Sequence, residues 1–238
     1  MIAIMQPYLF PYLGYFQLIM ASDTFVLFDD VNYIKKGYIN RNNILLNGAA
    51  YRFTVPVQNV SQNKKINEHY FSNDTDAILK TISMAYLKAP YFADVFPIVE
   101  RVLKSSERKV SSVCFDSIND ILNYLGIEKK IVFSSDIAYD RCASATDKLI
   151  EITKVLGSNY YINAIGGRNL YEYDYFKSKD ITLAFIQMDN IEYSQEGKNI
   201  EFVPNLSILD ALMWSSPKDV LEMLNKYTLI TKEYNNGE

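Results

Sequence analysis

Three stretches decide the fold: Ile2-Ala3-Ile4-Met5, Leu13-Gly14-Tyr15-Phe16-Gln17-Leu18-Ile19-Met20-Ala21, and Thr24-Phe25-Val26-Leu27-Phe28-Asp29-Asp30. The first is a short apolar run stopped at Gln6-Pro7, since proline fixes φ and lacks the N–H that a central strand must donate. It reads as a buried strand. The second places apolar residues at 13, 16, 19 and 20, the stripe of a short helix. The third is again a buried strand, with two carboxylates at its carboxyl end. Strand, helix and strand within thirty residues make a βαβ unit, so the two strands are expected to be adjacent and parallel with a right-handed crossover.

The same reading extends along the chain. Asn47-Gly48 is a turn signal between Ile44-Leu45-Leu46 and residues 51–55, so a hairpin is expected there. Residues 58–67 are polar and read as a mobile loop. Residues 76–125 read as mainly helical, with breaks near Pro90 and Pro97. Further strands are expected at 131–133, 160–162 and 181–187, and helices at 143–156, 170–177, 207–213 and 218–224. Alternating strands and helices predict an α/β, Rossmann-like fold with a mostly parallel sheet, a hairpin, and a helical insertion or cap over about 76–126. Residues 1–238 read as a single domain without repeats or linkers.

Composition narrows the function classes. The chain has 238 residues, is 49% hydrophobic and 22% charged, and carries a formal charge of -4, which excludes collagen, coiled coil and disorder and gives no basic footprint for nucleic acid. The first 22 residues carry no charge, but Pro7, Pro11, Gln6 and Gln17 are foreign to a signal or membrane segment. A cytoplasmic protein without stable membrane insertion is expected. Cys114 and Cys142 lack CxxC spacing and read as reduced thiols. With one histidine, His69, zinc is not expected. The 19 tyrosines offer flat apolar faces with hydroxyls that donate and accept, a combination that suits sugar and nucleotide sites and ordinary cores alike.

Four places can carry chemistry. The turn after the first strand, from Gln6 through Tyr8 and Tyr12 to Gly14, lies where open α/β sheets bind ligands, and Gly14 permits close backbone approach. Asp29 and Asp30 end the second strand and are followed by Lys35, Lys36, Asn40 and Arg41. A carboxylate there can hold magnesium or orient an amine, and arginine suits a phosphate or carboxylate. Asn163, Gly166, Gly167 and Arg168 stand between a strand and a helix, where backbone amides can cradle an anion, although no Walker motif is present. The stretch from Tyr193-Ser194-Gln195 to Asp210 reads as a helix cap, with Asn205 or Ser207 capping. Cys142, beside Asp140 and Arg141, reads as structural.

Taken together, several segments resemble the WbqC-like protein family. They are residues 6–16, Ser22-Asp23-Thr24-Phe25-Val26, Asp29-Asp30-Val31-Asn32-Tyr33, Tyr38-Ile39-Asn40-Arg41-Asn42, Thr54-Val55-Pro56-Val57, Gly166-Gly167-Arg168, Tyr193-Ser194-Gln195 and residues 202–210. The resemblance runs in order from Met1 to about Met213. It implies a place in bacterial surface-polysaccharide, O-antigen or lipopolysaccharide synthesis, where members have been suggested to transfer glycine to sugars. Tyr12-Leu13-Gly14-Tyr15 is also distantly similar to the His-x-Gly-His of nucleotidylyl transferases of the pantothenate-synthetase kind. The tyrosines are neutral where those histidines stabilise phosphate, so adenylation here would have to rest on Lys35, Lys36, Arg41 or Arg168.

The expected activity is a transferase acting on a nucleotide-sugar or similar small molecule, by an aminoacyl transfer to a sugar. Asp30, Lys36 and Arg41 are its expected catalytic groups. Gln6, Tyr8, Tyr12, Gly14, Asn40, Asn163, Gly166, Gly167 and Arg168 are expected to bind substrate. Amide formation from free glycine would call for ATP and magnesium, with Asp29 as the metal ligand. The alternative is a non-catalytic sugar-nucleotide binding or scaffold protein, which needs no base. Whether Asp29 or Asp30 shares a pocket with Gln6, Arg41 and Arg168 discriminates the two.

Overall fold

In the computed structural model, which describes residues 1–195 and 201–231, β1 (Ile2–Met5) and β2 (Thr24–Leu27) pair in parallel, with Ile2 opposite Thr24 and Met5 opposite Leu27. The helix α1 (Leu13–Ala21) connects them. The hairpin follows as β3 (Arg41–Leu46) and β4 (Ala49–Thr54), an antiparallel pair apart from the main sheet. Its turn residues Asn47 and Gly48 have φ of 54° and 74°, the left-handed pair that a tight two-residue hairpin demands.

A helical block comes next: α2 (Asp76–Tyr86), α3 (Phe92–Lys104) and α4 (Val110–Tyr124). The chain then runs through β5 (Lys130–Phe133), α5 (Ala145–Val155), β6 (Tyr160–Ala164), α6 (Tyr173–Ser178), β7 (Thr182–Met188), α7 (Ile208–Trp214), α8 (Pro217–Leu224) and β8 (Tyr227–Thr231). The main sheet has the order β5-β2-β1-β6-β7-β8, parallel except for β8, which pairs antiparallel with β7. From β1 the chain winds one way to β2 and β5 and then the other way to β6 and β7. The order therefore reverses between β1 and β6, where doubly wound sheets open a crevice.

Side-chain alternation sorts the core onto both faces. Ala3, Phe25, Leu27, Ile162 and Ala184 face a large cluster shared with α1, the hairpin and the helical block. Ile2, Ile4, Val26, Tyr161 and Phe185 face a smaller cluster with α5 and α6. A one-residue slip would exchange the two sets, so register is strongly specified. Each buried Ile, Leu, Val or Phe among them contributes roughly 1.5–3 kcal/mol by leaving water.

Three expectations need correction. Pro97 does not break the helical block but lies inside α3, where buried Val95, Ile98, Val99, Val102 and Leu103 hold the helix on both sides of it. Their burial outweighs the roughly 3 kcal/mol that an interior proline costs. The helix expected from 170 starts at Tyr173, because Ile165–Leu170 forms a 3-10 turn first. The loop at 58–67 has an anchored end: the Ile66 and Asn67 amides donate to the Val31 and Asp29 carbonyls, and Ile66 is buried.

Candidate functional site

A cleft of about 1040 Å³ opens at the carboxyl ends of β1, β2 and β6. Its floor and near wall come from Gln6, Tyr8 and Tyr12. Phe28, Asn32, Ile34 and Tyr38 follow β2, and Asn163, Gly166, Gly167, Leu170 and Tyr171 follow β6. Among the described residues the lining holds no Asp, Glu, Lys, Arg, His or Cys. The size is that of a small-molecule site, and the position is the one the strand order predicts.

The turn between β1 and α1 is held rigidly. Phe10 has φ of 44°, unusual for a side chain with a Cβ. Its carbonyl accepts from Asn42 Nδ2 at 2.7 Å and from Ser207 Oγ at 2.7 Å, and its amide donates to Ser117 Oγ at 3.2 Å. The amides of Leu9 and Ile208 close further bonds to the Ile39 and Pro11 carbonyls. Tyr15 Oη donates to the Gln6 carbonyl at 2.9 Å. Three distant segments, residues 39–42, Ser117 and residues 207–208, thus fix the loop that presents Gln6, Tyr8 and Tyr12. Gly14 makes room for the Tyr12 ring, because a Cβ there would lie 2.5 Å from Tyr12 Cε2 and would have to displace it. Burial pushes the Tyr8 and Tyr12 hydroxyls above their ordinary range, and neighbouring tyrosines add to this at Tyr8. Both are therefore neutral hydrogen-bond donors at physiological pH.

On the β6 side, buried Asn163 donates from Nδ2 to Tyr161 Oη at 3.0 Å and accepts the Ala164 amide at Oδ1. This orients its amide at the mouth of the glycine turn. A Cβ on Gly167 would meet Asn163 Nδ2 at 3.3 Å, whereas Gly166 faces open space. Arg168 is exposed on this turn, between the lining residues Gly167 and Leu170.

The other expected groups lie outside the lining. Asp29 and Asp30 are buried and occupied. Asp30 accepts from Arg141 Nε at 2.9 Å, from Tyr139 Oη at 2.7 Å and from Ser134 Oγ. Asp29 accepts from the Ser135 amide and from Ser135 Oγ, each at 3.1 Å. Arg141 also donates to the carbonyls of Ser135, Ile137 and Tyr139. The two carboxylates therefore anchor the loop after β5, which leads to Ala145 on the cleft wall. Magnesium does not fit Asp29, whose oxygens already accept from Ser135. Among the described residues, no group of three His, Cys, Asp or Glu is placed to hold a metal. Asn40 donates to the Val55 carbonyl and Arg41 Nε to the Gly37 carbonyl, each at 2.8 Å, so both brace the hairpin and its approach. Lys36 is exposed with φ of 65°. Gly14 acts through Tyr12.

The model of the WbqC-like protein family matches residues 6–222. The chain belongs to this family. An uncharacterized protein of Mycobacterium tuberculosis (strain ATCC 25618 / H37Rv), Rv1507c, is similar at 28% identity over 217 residues, covering 89% of this chain and 92% of the relative. No solved structure matches the chain.

The family segments have distinct structural jobs. Tyr193, Gln195 and Asp210 meet in the interior: Tyr193 Oη and Gln195 Nε2 donate to Asp210 Oδ2 at 2.8 and 2.9 Å, and Tyr86 Oη donates to Oδ1 at 2.8 Å. Ser207 caps α7, as expected, by accepting the Leu209 amide, and it also donates to the Phe10 carbonyl. The polar and aromatic cleft residues not singled out from the sequence are Phe28, Asn32, Tyr38, Asn42 and Tyr171. Asn32, Tyr38 and Asn42 lay within quoted family segments, which was the one available signal. Arg141 and Tyr139 carried none. Among the described residues, no helix is long and apolar enough to cross a membrane.

Proposed function

We propose that the cleft binds a nucleotide-activated sugar and that the chain acts on it as a transferase in bacterial surface-polysaccharide synthesis, with aminoacyl transfer to the sugar as the favoured reaction. The observation that carries the binding reading is the cleft itself. It lies at the reversal between β1 and β6, with a rigid loop on one side and a glycine turn on the other. Gln6, Tyr8, Tyr12 and Asn163 offer neutral hydrogen-bonding groups suited to sugar hydroxyls. The amides at Gly166 and Gly167, with Arg168 beside them, suit the phosphates. The pathway is carried by family membership together with the resemblance described above.

In this reading Asp30 serves as an anchor, since acting as a base would require it to leave Arg141 and Tyr139. Lys36, on the segment between β2 and β3, and Arg41, the first residue of β3, both lie outside the lining. The lack of an acid or base in the lining favours a second reading, in which the protein binds the sugar without transforming it. A thermal-shift screen with nucleotides and nucleotide-sugars tests binding, because a ligand at one hundred times its dissociation constant stabilises by about 2.7 kcal/mol. No shift with any nucleotide-sugar would refute the proposal. Mass spectrometry of the bound sugar, after incubation with an activated aminoacyl donor, separates the two readings: a mass gain supports transfer, and an unchanged sugar supports binding alone.

A further inference from the structure

The cleft changes character from floor to mouth. Gln6 and buried Asn163 lie at strand ends, whereas the lips carry Ile34, Tyr38 and Leu170 at 50%, 48% and 74% exposure. One exposed apolar side chain is ordinary, but three around one opening ask for a partner surface. Ile34 and Tyr38 follow β2, and Leu170 follows β6. These strands flank β1, so the two lips belong to segments on either side of it. One side is aromatic, with Tyr8 and Tyr38 lining the cleft and Tyr15 packed behind Tyr8. The ring of fully buried Tyr15 lies 5.5 Å from that of Tyr8, which lies 6.1 Å from that of Tyr38. Asn32 sits exposed at the same lip, with an amide that can donate and accept.

We infer that the mouth is a nucleobase subsite, with the base stacked on Tyr38, Leu170 on the opposite lip and the Asn32 amide at the base edge, while the sugar lies on the floor beside Gln6 and Tyr12. Aromatic faces hold any base by stacking, and an amide adds edge recognition. The sugar hydroxyls need the polar floor, which fixes the direction of the ligand. This inference rests on the nucleotide-sugar reading given above and assigns its orientation.

The test is calorimetric titration of wild type, Tyr38→Ala, Tyr38→Phe and Gln6→Ala with ADP, CDP, GDP and UDP, and with the glucose conjugate of each. Tyr38 is half-exposed, and thermal melts will verify that its variants fold. Tyr38→Ala is expected to weaken the nucleoside diphosphate and its sugar conjugate alike, by about tenfold, the lower part of the range for one base–aromatic stack. Tyr38→Phe should retain both affinities. Gln6→Ala should weaken the sugar conjugate and leave the diphosphate unchanged. Unchanged nucleotide affinity in Tyr38→Ala, with the sugar conjugate still bound, would overturn the orientation and leave the nucleotide-sugar reading standing. So would an equal loss of both ligands in Gln6→Ala. Wild type that binds no nucleotide and no conjugate would overturn both. Tighter binding of farnesyl diphosphate than of any nucleoside diphosphate would give the lips to a lipid tail and overturn the subsite.

Discussion

Replacing Asp210 by Asn should destabilise the protein substantially without touching the cleft directly. The Asp210 carboxylate is fully buried in the first turn of α7 and accepts from Tyr86, Tyr193 and Gln195. Burial is the main reason the Tyr86 and Tyr193 hydroxyls titrate far above their ordinary range, and the adjacent Asp210 charge adds to it. Asparagine keeps the shape but supplies one acceptor oxygen and one donor group. Its oxygen can serve Tyr193 and Gln195 only if its NH2 meets Tyr86 Oη, which already accepts the Leu45 amide at 3.3 Å. One charge-assisted bond is then lost, at about 1.5–3 kcal/mol. The other two fall to neutral strength, roughly half of what they were. Relief from burying a charge offsets part of this. The net loss is on the order of 2–3 kcal/mol, which for a chain of this size lowers Tm by roughly 5–10 °C. Differential scanning calorimetry reads it directly. Asp210→Ala should cost more, since three donors, buried Tyr86 and Gln195 and partly buried Tyr193, lose their acceptor. A Tm within about 1 °C of wild type for the Asn variant would refute the buried carboxylate as the organiser of this region.

Gly14→Ala should separate stability from binding: alanine favours the helix by about 0.5–1 kcal/mol, yet its Cβ must displace the Tyr12 ring. The expected result is an unchanged or slightly raised Tm with weakened nucleotide-sugar binding, and a Tm fall of more than about 3 °C would show that the ring cannot move. Stability should also fall at alkaline pH, because burial raises the hydroxyls of Tyr15, Tyr33, Tyr86 and Tyr161, with Tyr33 pushed up to about 12. The folded state holds these protons more tightly than the unfolded state, whose tyrosines titrate near 10. The stabilisation is thus complete below pH about 10 and is lost as pH rises toward 12. Urea midpoints that stay equal between about pH 8 and pH 11 would contradict this assignment.

What the sequence disclosed about the fold was whatever local pattern decides. β1, α1 and β2 were legible because continuous apolar runs, a helical stripe and a proline stop lie within thirty residues. The hairpin was legible because Asn47-Gly48 supplies two left-handed residues in succession. β8 was not, because Tyr227–Thr231 is half-exposed and becomes a strand by adding antiparallel to β7, a partner the local pattern does not name. Pro97 misled because its penalty is local while the packing that overrides it comes from other elements.

The site divides along the same line. Gln6, Tyr12, Asn163 and Gly166 were readable because they lie at the end of β1 or β6 or in the turn that follows, and the strand order brings those turns to one crevice. The charged residues were not readable, because charge shows in a sequence but its partner does not. Asp30 looked like a group awaiting substrate, yet its cation is Arg141, 111 residues away, which the pairing of β2 with β5 brings alongside. Asp210 looked like part of a helix cap, yet it gathers Tyr86 from the helical block and Gln195 from the preceding loop. In both cases a buried carboxylate is satisfied by donors from distant segments, as burial requires. The two hubs tie the loop after β5 and the start of α7 into place, and those segments hold Ala145 and Asn205 at the cleft. Polar and aromatic side chains line the opening, and the buried charges hold the frame around it. A substitution at either hub should therefore register first in Tm, and one at Gln6, Tyr12 or Tyr38 first in affinity.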